Sequence, residues 1–410
     1  MAAPSSRHAV EDDHGPLLIV YDDSYLHLLR GFPSDHPLRP IMGGLAIGLM
    51  QAYGLLDDPL VVVQGPRLAT DAELTRVHDA GYVARVRELS VLAESRGTGF
   101  ELQDVSYGLV PPDNPVFPGL HDAAATIAGG TTTAMLEVMA GRAAHAFVPL
   151  AGMHHAKKAR AHGFCVYNDP AVAIAAVRAE YPQARVAAID LDAHHGDGVQ
   201  ALFWDDPQVL AISMHESGRY LFPGTGTVDD LGGGPGYGYT VNVPLEPFTD
   251  DETYARAFAA VVPPLLRAYR PDIILAQLGV DTHWTDPLTE MATTTNLCAP
   301  LASTLHGLAH DLCEGRLVGI GGGSYQPFSV APRAWTLHVA AFLERERDLP
   351  DAIPEAWVGA VSALSHAAPR FLSDPPAPTV PTNQQLAITA ATNRVLERIR
   401  AEVFPLHGMT

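Results

Sequence analysis

Asp190-Leu191-Asp192-Ala193-His194-His195-Gly196-Asp197-Gly198 follows directly on the apolar run Val186-Ala187-Ala188-Ile189. Three carboxylates and two imidazoles within nine residues make a metal-site composition. The apolar run reads as a buried parallel strand and the glycines as the turn that ends it. The polar groups then fall at a strand's carboxyl end, where open α/β sheets place their sites. Burying so many ionisable groups without partners would cost several kcal/mol each, so the run marks metal or catalytic chemistry.

Four other polar clusters also lie just after an apolar run. Gly152-Met153-His154-His155 follows residues 147–150, and Ser213-Met214-His215 follows 209–212. Gly279-Val280-Asp281 follows 273–278, and Gly321-Gly322-Gly323-Ser324-Tyr325 follows 317–320. Adjacent strand ends would bring these clusters together. Asp192 and His194 are two residues apart, so both can reach one ion from a turning segment. A distant third ligand such as Asp281 would complete an oxygen and nitrogen site with a position open for water. The triple glycine lacks the dinucleotide-binding and P-loop spacings and reads as a tight turn or a phosphate cradle.

Residues 1–16 are polar, charged and aperiodic, the pattern of a disordered tail. After them, β-type runs at 17–20, 146–148, 185–190, 209–213, 273–278 and 317–321 alternate with helical segments at 43–53, 71–92, 123–140, 169–180 and 333–345. The alternation predicts an α/β fold, three-layer α/β/α, with a mostly parallel central sheet. Residues 17–345 read as a catalytic domain. Residues 346–410 read as an appendage with a proline-rich linker at 373–381 and a terminal helix at 383–403, whose apolar positions include Ile388, Leu396 and Ile399.

With 410 residues, 47% of them hydrophobic, the chain can bury one large core or build two ordinary domains. No apolar run approaches the roughly 18 residues of a spanning helix, and residues 1–15 carry charges in place of a signal core. Cys165, Cys298 and Cys313 cannot all pair and have no C-x-x-C spacing, so a reducing cytoplasm is expected. The formal charge of −20, from 46 acidic against 26 basic residues, argues against a nucleic-acid partner. It would draw a cationic substrate or basic peptide, unless it serves solubility alone.

Taken together, the chain resembles the histone deacetylase family, in particular its bacterial acetoin-utilisation-type members. The resemblance runs from about residue 21 to 336. It is carried by His36-Pro37-Leu38-Arg39-Pro40, His154-His155-Ala156-Lys157-Lys158, Gly163-Phe164-Cys165-Val166-Tyr167-Asn168-Asp169, the 190–198 run, Phe222-Pro223-Gly224-Thr225-Gly226, Gly279-Val280-Asp281 and Gly323-Ser324-Tyr325. It implies an arginase/deacetylase-like fold, with Asp192, His194 and Asp281 as ligands of a catalytic Zn2+. It also implies K+ near Asp190, Asp192, His194, Ser213 and Met214, and a second K+ near Phe203, Asp206, Val209 and Tyr239.

The implied reaction is hydrolysis of the acetamide of Nε-acetyl-lysine in a protein or peptide by metal-activated water. His155, oriented by Asp197, would act as general base; His154, paired with Asp190, would act electrostatically; Tyr325 would donate to the oxyanion. Phe164 and Phe222, with Gly163 and Gly323, would bound the substrate channel, Leu288 its rim, and Asp113 would hold the substrate backbone. Met42 stands where many members carry an arginine, and His283-Trp284 would narrow the entrance. An oxygen-rich site also accepts Fe2+. Acetylpolyamines or other small acetylated amines are the alternative substrates. A dinuclear ureohydrolase would need carboxylates where Gly196 and His283 stand, and a binding module without chemistry would have lost Tyr325, a ligand or the histidine pair.

Overall fold

The computed structural model describes residues 15–25, 31, 36–96, 102–364 and 366–410, so the tail expected over 1–16 lies almost wholly outside the described residues. Eight strands among these form one sheet: β1 (Leu17–Val20), β2 (Val61–Gln64), β3 (His145–Val148), β4 (Val186–Asp190), β5 (Val209–Glu216), β6 (Thr240–Leu245), β7 (Ile273–Gln277) and β8 (Leu317–Ile320). Their order is β2-β1-β3-β8-β7-β4-β5-β6, and every pairing is parallel. The four central strands β3, β8, β7 and β4 are short and buried at every position, apolar throughout except for His145 at the start of β3 and Gln277 and Asp190 at the ends of β7 and β4. That is the signature of a parallel sheet covered on both faces.

Helices supply the covering layers. On one side α4 (Leu120–Met139) packs on α5 (Asp169–Glu180); on the other α8 (Cys298–Cys313) and α1 (Ile41–Ala52) pack on α9 (Val330–Phe342). Asn168 caps α5 by accepting from Ala171 N at 3.0 Å, and a proline follows in the first turn, both favourable at a helix start. The helix expected over 71–92 is two. A capping box between Thr70 and Glu73 starts α2 (Asp71–Leu74), and a turn precedes α3 (Ala80–Arg96). The strands β2 and β6 and the helices α6 (Asp197–Leu202) and α7 (Asp251–Tyr269) are additions to the sequence reading. Pro263 and Pro264 interrupt α7 in sequence, yet its buried face runs through Tyr254, Phe258, Val261, Val262, Leu265 and Leu266.

Beyond residue 345 come α10 (Glu355–Ala363) and α11 (Thr382–Glu402). Ile388, Thr392, Leu396 and Ile399 form the buried face of α11, and Leu396 and Ile399 join the main hydrophobic core. Trp357 on α10 donates from Nε1 to Leu45 O at 2.8 Å. The proline-rich stretch is pinned at its start. Asp374 accepts from Arg333 Nη1 at 2.8 Å and lies 2.9 Å from His283 Nε2, while the same guanidinium donates to Leu372 O at 3.1 Å. Thr295 Oγ1 adds a bond to Asp374 at 2.7 Å.

Burial alone would push the Asp374 carboxyl up, but the His283 bond, the Arg333 charge and Thr295 together hold it well below the usual range. A carboxyl depressed in the fold contributes stability above its unfolded value, and that contribution fades as pH falls toward the folded one. Asp374→Asn leaves Arg333 buried without its counter-charge and is expected to cost about 3 kcal/mol at pH 7. Unfolding measured at pH 7 and at successively lower pH should show this loss shrinking below about pH 3.9. A pH-independent loss would show that the charge on Asp374 is not what matters.

Candidate metal centre

The chain reverses direction across the sheet at β4. It runs outward through β5 and β6, then returns inward through β7 and β8, so the carboxyl ends of four neighbouring strands open on one crevice. Into it project the segments after β3 (His154, His155), β4 (Asp190 to Asp197), β7 (Asp281) and β8 (Gly323, Tyr325). Those clusters therefore converge as their positions after apolar runs predict.

Asp192, His194 and Asp281 bring their donor atoms within 4.8 Å of one another, at only 1%, 6% and 0% exposure. His194 Nδ1 lies 2.8 Å from Asp281 Oδ2 and 3.1 Å from Asp192 Oδ1. One imidazole and two carboxylates sharing a point suit a divalent cation of the zinc or iron class. Each carboxylate is also held from behind: Gln277 Nε2 and Gly323 N donate to Asp192 Oδ2 at 2.7 and 2.6 Å, and Ala193 N to Asp281 Oδ1 at 2.7 Å. Such outer bonds fix ligand orientation. A Cβ at Gly323 would stand 2.4 Å from Asp281 Oδ2, so only glycine lets the β8 loop approach this closely.

Beside the three donors stand two histidine–carboxylate pairs. His154 Nδ1 is 2.7 Å from Asp190 Oδ2, His155 Nδ1 is 2.7 Å from Asp197 Oδ1, and the two Nε2 atoms face each other at 3.1 Å. The pairs differ in charge. Burial disfavours a charged His154, but the Asp190 and Asp192 carboxylates overcome this and raise it to about 9. Burial and the charge on His154 lower His155 to about 3, against the pull of Asp197. The surroundings therefore favour a proton on His154 and disfavour one on His155. Lys157 Nζ at 2.5 Å and His162 Nδ1 at 3.5 Å share the Asp197 Oδ2 atom.

The Tyr325 ring lies 6.1 Å from that of His194 and 6.0 Å from Phe164, edge-on to both. Burial raises its hydroxyl well above 10, so it keeps its proton. Phe222 contacts His155 edge-on at 5.1 Å, and Phe164 contacts His36 at 4.8 Å. Gly163 lies against His155 and Phe222, where a Cβ would sit 2.7 and 2.8 Å from their rings. Leu288 is exposed, as is Asp113, whose carbonyl lies 3.2 Å from His36 Nε2.

The positions expected for the first K+ also cluster. Asp190 pairs in register with Ser213, Met214 follows it on β5, and a cavity behind them is lined by Asp190, Gly196 and Ser213. For the second, Phe203, Asp206 and Val209 lie on two consecutive turns, Asp206 N donating to Phe203 O at 3.1 Å and Val209 N to Asp206 O at 3.2 Å, and Tyr239 O accepts from Ala211 N at 2.9 Å, while Arg178 is ion-paired with Asp206. Met42 is buried in α1. His283 is committed to Asp374 and to Thr285 Oγ1 at 2.9 Å each, so of the pair expected to narrow the entrance it turns toward the C-terminal segment, and Trp284 is 37% exposed.

Sequence reasoning missed several supporting residues. Gln277 ends an apolar strand with nothing local to mark it. Asp286 accepts from Tyr325 N at 3.1 Å and Leu288 N at 2.9 Å; burial and the nearby Asp281 charge raise its carboxyl to about 8. Asn168 Nδ2 donates to His154 O at 2.9 Å and Ala156 O at 3.0 Å, and Asp169 accepts from Met153 N at 2.6 Å. The Asn-Asp-Pro helix start was the available signal for this last pair.

A histone deacetylase domain model matches residues 36–342. The chain is 41% identical over 342 residues to the acetoin utilization protein AcuC of Bacillus subtilis (strain 168), covering 83% of this chain and 85% of that one. It is 37% identical over 327 residues to the protein of the same name from Staphylococcus xylosus, covering 80% and 83%. With the AcuC of Staphylococcus aureus (strain MRSA252) it shares 38% over 339 residues, covering 83% and 84%. No helix among the described residues is long and apolar enough to cross a membrane. With donor set, histidine pairs and tyrosine all standing at one crevice, and three-quarters of its length matched, this chain belongs to the histone deacetylase family, as a bacterial acetoin-utilisation-type deacetylase.

Proposed function

We propose that the protein is a zinc-dependent deacetylase that hydrolyses the acetamide of Nε-acetyl-lysine in proteins or peptides, releasing lysine and acetate. The observation that carries this reading is the pair of imidazoles, each hydrogen-bonded to its own carboxylate, facing each other at 3.1 Å beside three converging ligands. Zinc bound by Asp192, His194 and Asp281 supplies Lewis acidity, polarising the carbonyl and lowering the pKa of water; Fe2+ suits the same donors.

The chain's own residues do the rest. His155, neutral and held by Asp197, takes the proton of the attacking water at Nε2 and returns one to the leaving amine. His154, charged and backed by Asp190, stabilises negative charge without moving a proton. Tyr325 donates its O–H to the developing oxyanion from the side of Phe164. Phe164 and Phe222 grip an extended alkyl stem, Leu288 forms the rim, and Asp113 holds the substrate backbone. K+ beside Asp190 and Ser213 is part of the proposal, supported by the cavity they border; the second K+ rests on the resemblance alone. Three free cysteines agree with a cytoplasmic location.

Acetate release from an acetyl-lysine peptide should vanish on chelation and return with one equivalent of zinc. Tyr325→Phe should then lower the rate about 100-fold. If an acetylpolyamine is hydrolysed and the peptide is not, the substrate class is the small amine instead. Asp197→Asn, which unsettles the His155 tautomer, is expected to reduce kcat by 100-fold or more with zinc content unchanged. Loss of zinc in that variant would assign Asp197 to ligand support rather than to the base.

A further inference from the structure

A second cluster of metal-type donors lies at the other end of the sheet. His145 is the first residue of β3, in register with Leu17 of β1 and Leu317 of β8, so it stands at the amino edge, opposite the crevice. His306 and His310 are one turn apart on α8 and present the same face to it. Their Nε2 atoms form a nearly equilateral triangle: 3.1 Å between His306 and His145, 3.3 Å between His310 and His145, and 3.2 Å between His310 and His306. The ring centroids stand farther apart, at 4.6, 5.1 and 4.6 Å, so the rings radiate outward with their Nε2 corners aimed inward.

This is the spacing a metal imposes. A tetrahedral ion about 2.0–2.1 Å from each imidazole nitrogen sets those nitrogens about 3.3–3.4 Å apart. His145 and His306 are buried at 1% and 3% exposure, and His310 is partly exposed, which provides an entry path. Beside one donor, Glu344 Oε1 lies 3.8 Å from His306 Nδ1, beyond hydrogen-bond reach but close enough for its charge to favour a cation at the cluster. A Cβ at Gly315 would stand 3.0 and 3.3 Å from the Cε1 atoms of His310 and His145, so the turn after α8 leaves the rings just enough room. Three imidazoles without a carboxylate among the donors favour zinc, copper(II) or nickel(II) over magnesium or calcium.

We propose that His145, His306 and His310 form a second transition-metal site, separate from the catalytic centre, that staples the start of β3 to α8. It is independent of the substrate proposed above. An ion there binds the folded chain far better than the unfolded one, so it adds stability that grows with the logarithm of free metal above its Kd, and it has no part in the reaction.

The test is zinc stoichiometry on the full-length chain after chelator stripping, read by elemental analysis, with cobalt(II) absorption reporting the coordination. Wild type should take up two equivalents, and His310→Ala and His306→Gln one each, with deacetylase activity retained at one equivalent. The retained activity also shows that these variants fold. The second equivalent should raise the wild-type Tm by about 2 °C or more and leave the Tm of His310→Ala unmoved. A wild type that stops at one equivalent, or a variant that still takes up two, overturns the proposal. So does a Tm difference between wild type and variant that zinc does not change, since that describes a hydrogen-bonded histidine cluster without an ion.

Discussion

Asp190, Asp192 and Asp281 bring three carboxylates to the ends of two neighbouring strands in a region almost closed to water. Like charges so placed repel strongly, because little solvent is left to screen them. Much of the surrounding architecture answers that repulsion. His154 supplies positive charge, and Gln277, Gly323 and Ala193 aim N–H groups at the oxygens. The loops after β3 and β8 can reach these positions only because the strands are adjacent, so the sheet order is a condition for the site's electrostatics.

The same balance separates the two histidines. Residue type and neighbour in sequence make them equivalent, yet Asp190 and Asp192 act on His154 together, whereas Asp197 is shared among His155, Lys157 and His162. Burial and the charge on His154 then work against a proton on His155. The pair thus comes with one member charged and the other able to accept, the division of labour that acid–base hydrolysis uses.

What could be read from the residues was what is written locally. The 190–198 run contains its own ligands, and the central strands are apolar runs long enough to recognise. The tendency of parallel sheets to gather function at strand ends joined the distant clusters. Features that depend on pairing escaped. The edge strand Val61–Gln64 is largely exposed at three of its four positions, and Thr240–Leu245 carries a proline that only an edge tolerates. Two internal prolines hid α7, and the turn at 75–77 split an expected helix. Gln277 gains its role from a strand that is its neighbour only in space, and His145 lies 161 residues from His306.

Asp374 gives the fold a boundary different from the one drawn by family likeness. The matched region closes at residue 342, but the loop that carries Asp281 is moored two residues later, at His283, to a carboxylate 32 positions beyond that limit. Arg333, inside the matched region, holds the same carboxylate. The unit that folds and the stretch that the domain model matches therefore do not end together. Variation in the last tenth of such chains can reach the metal-bearing loop through one hydrogen bond, without altering any residue of the crevice.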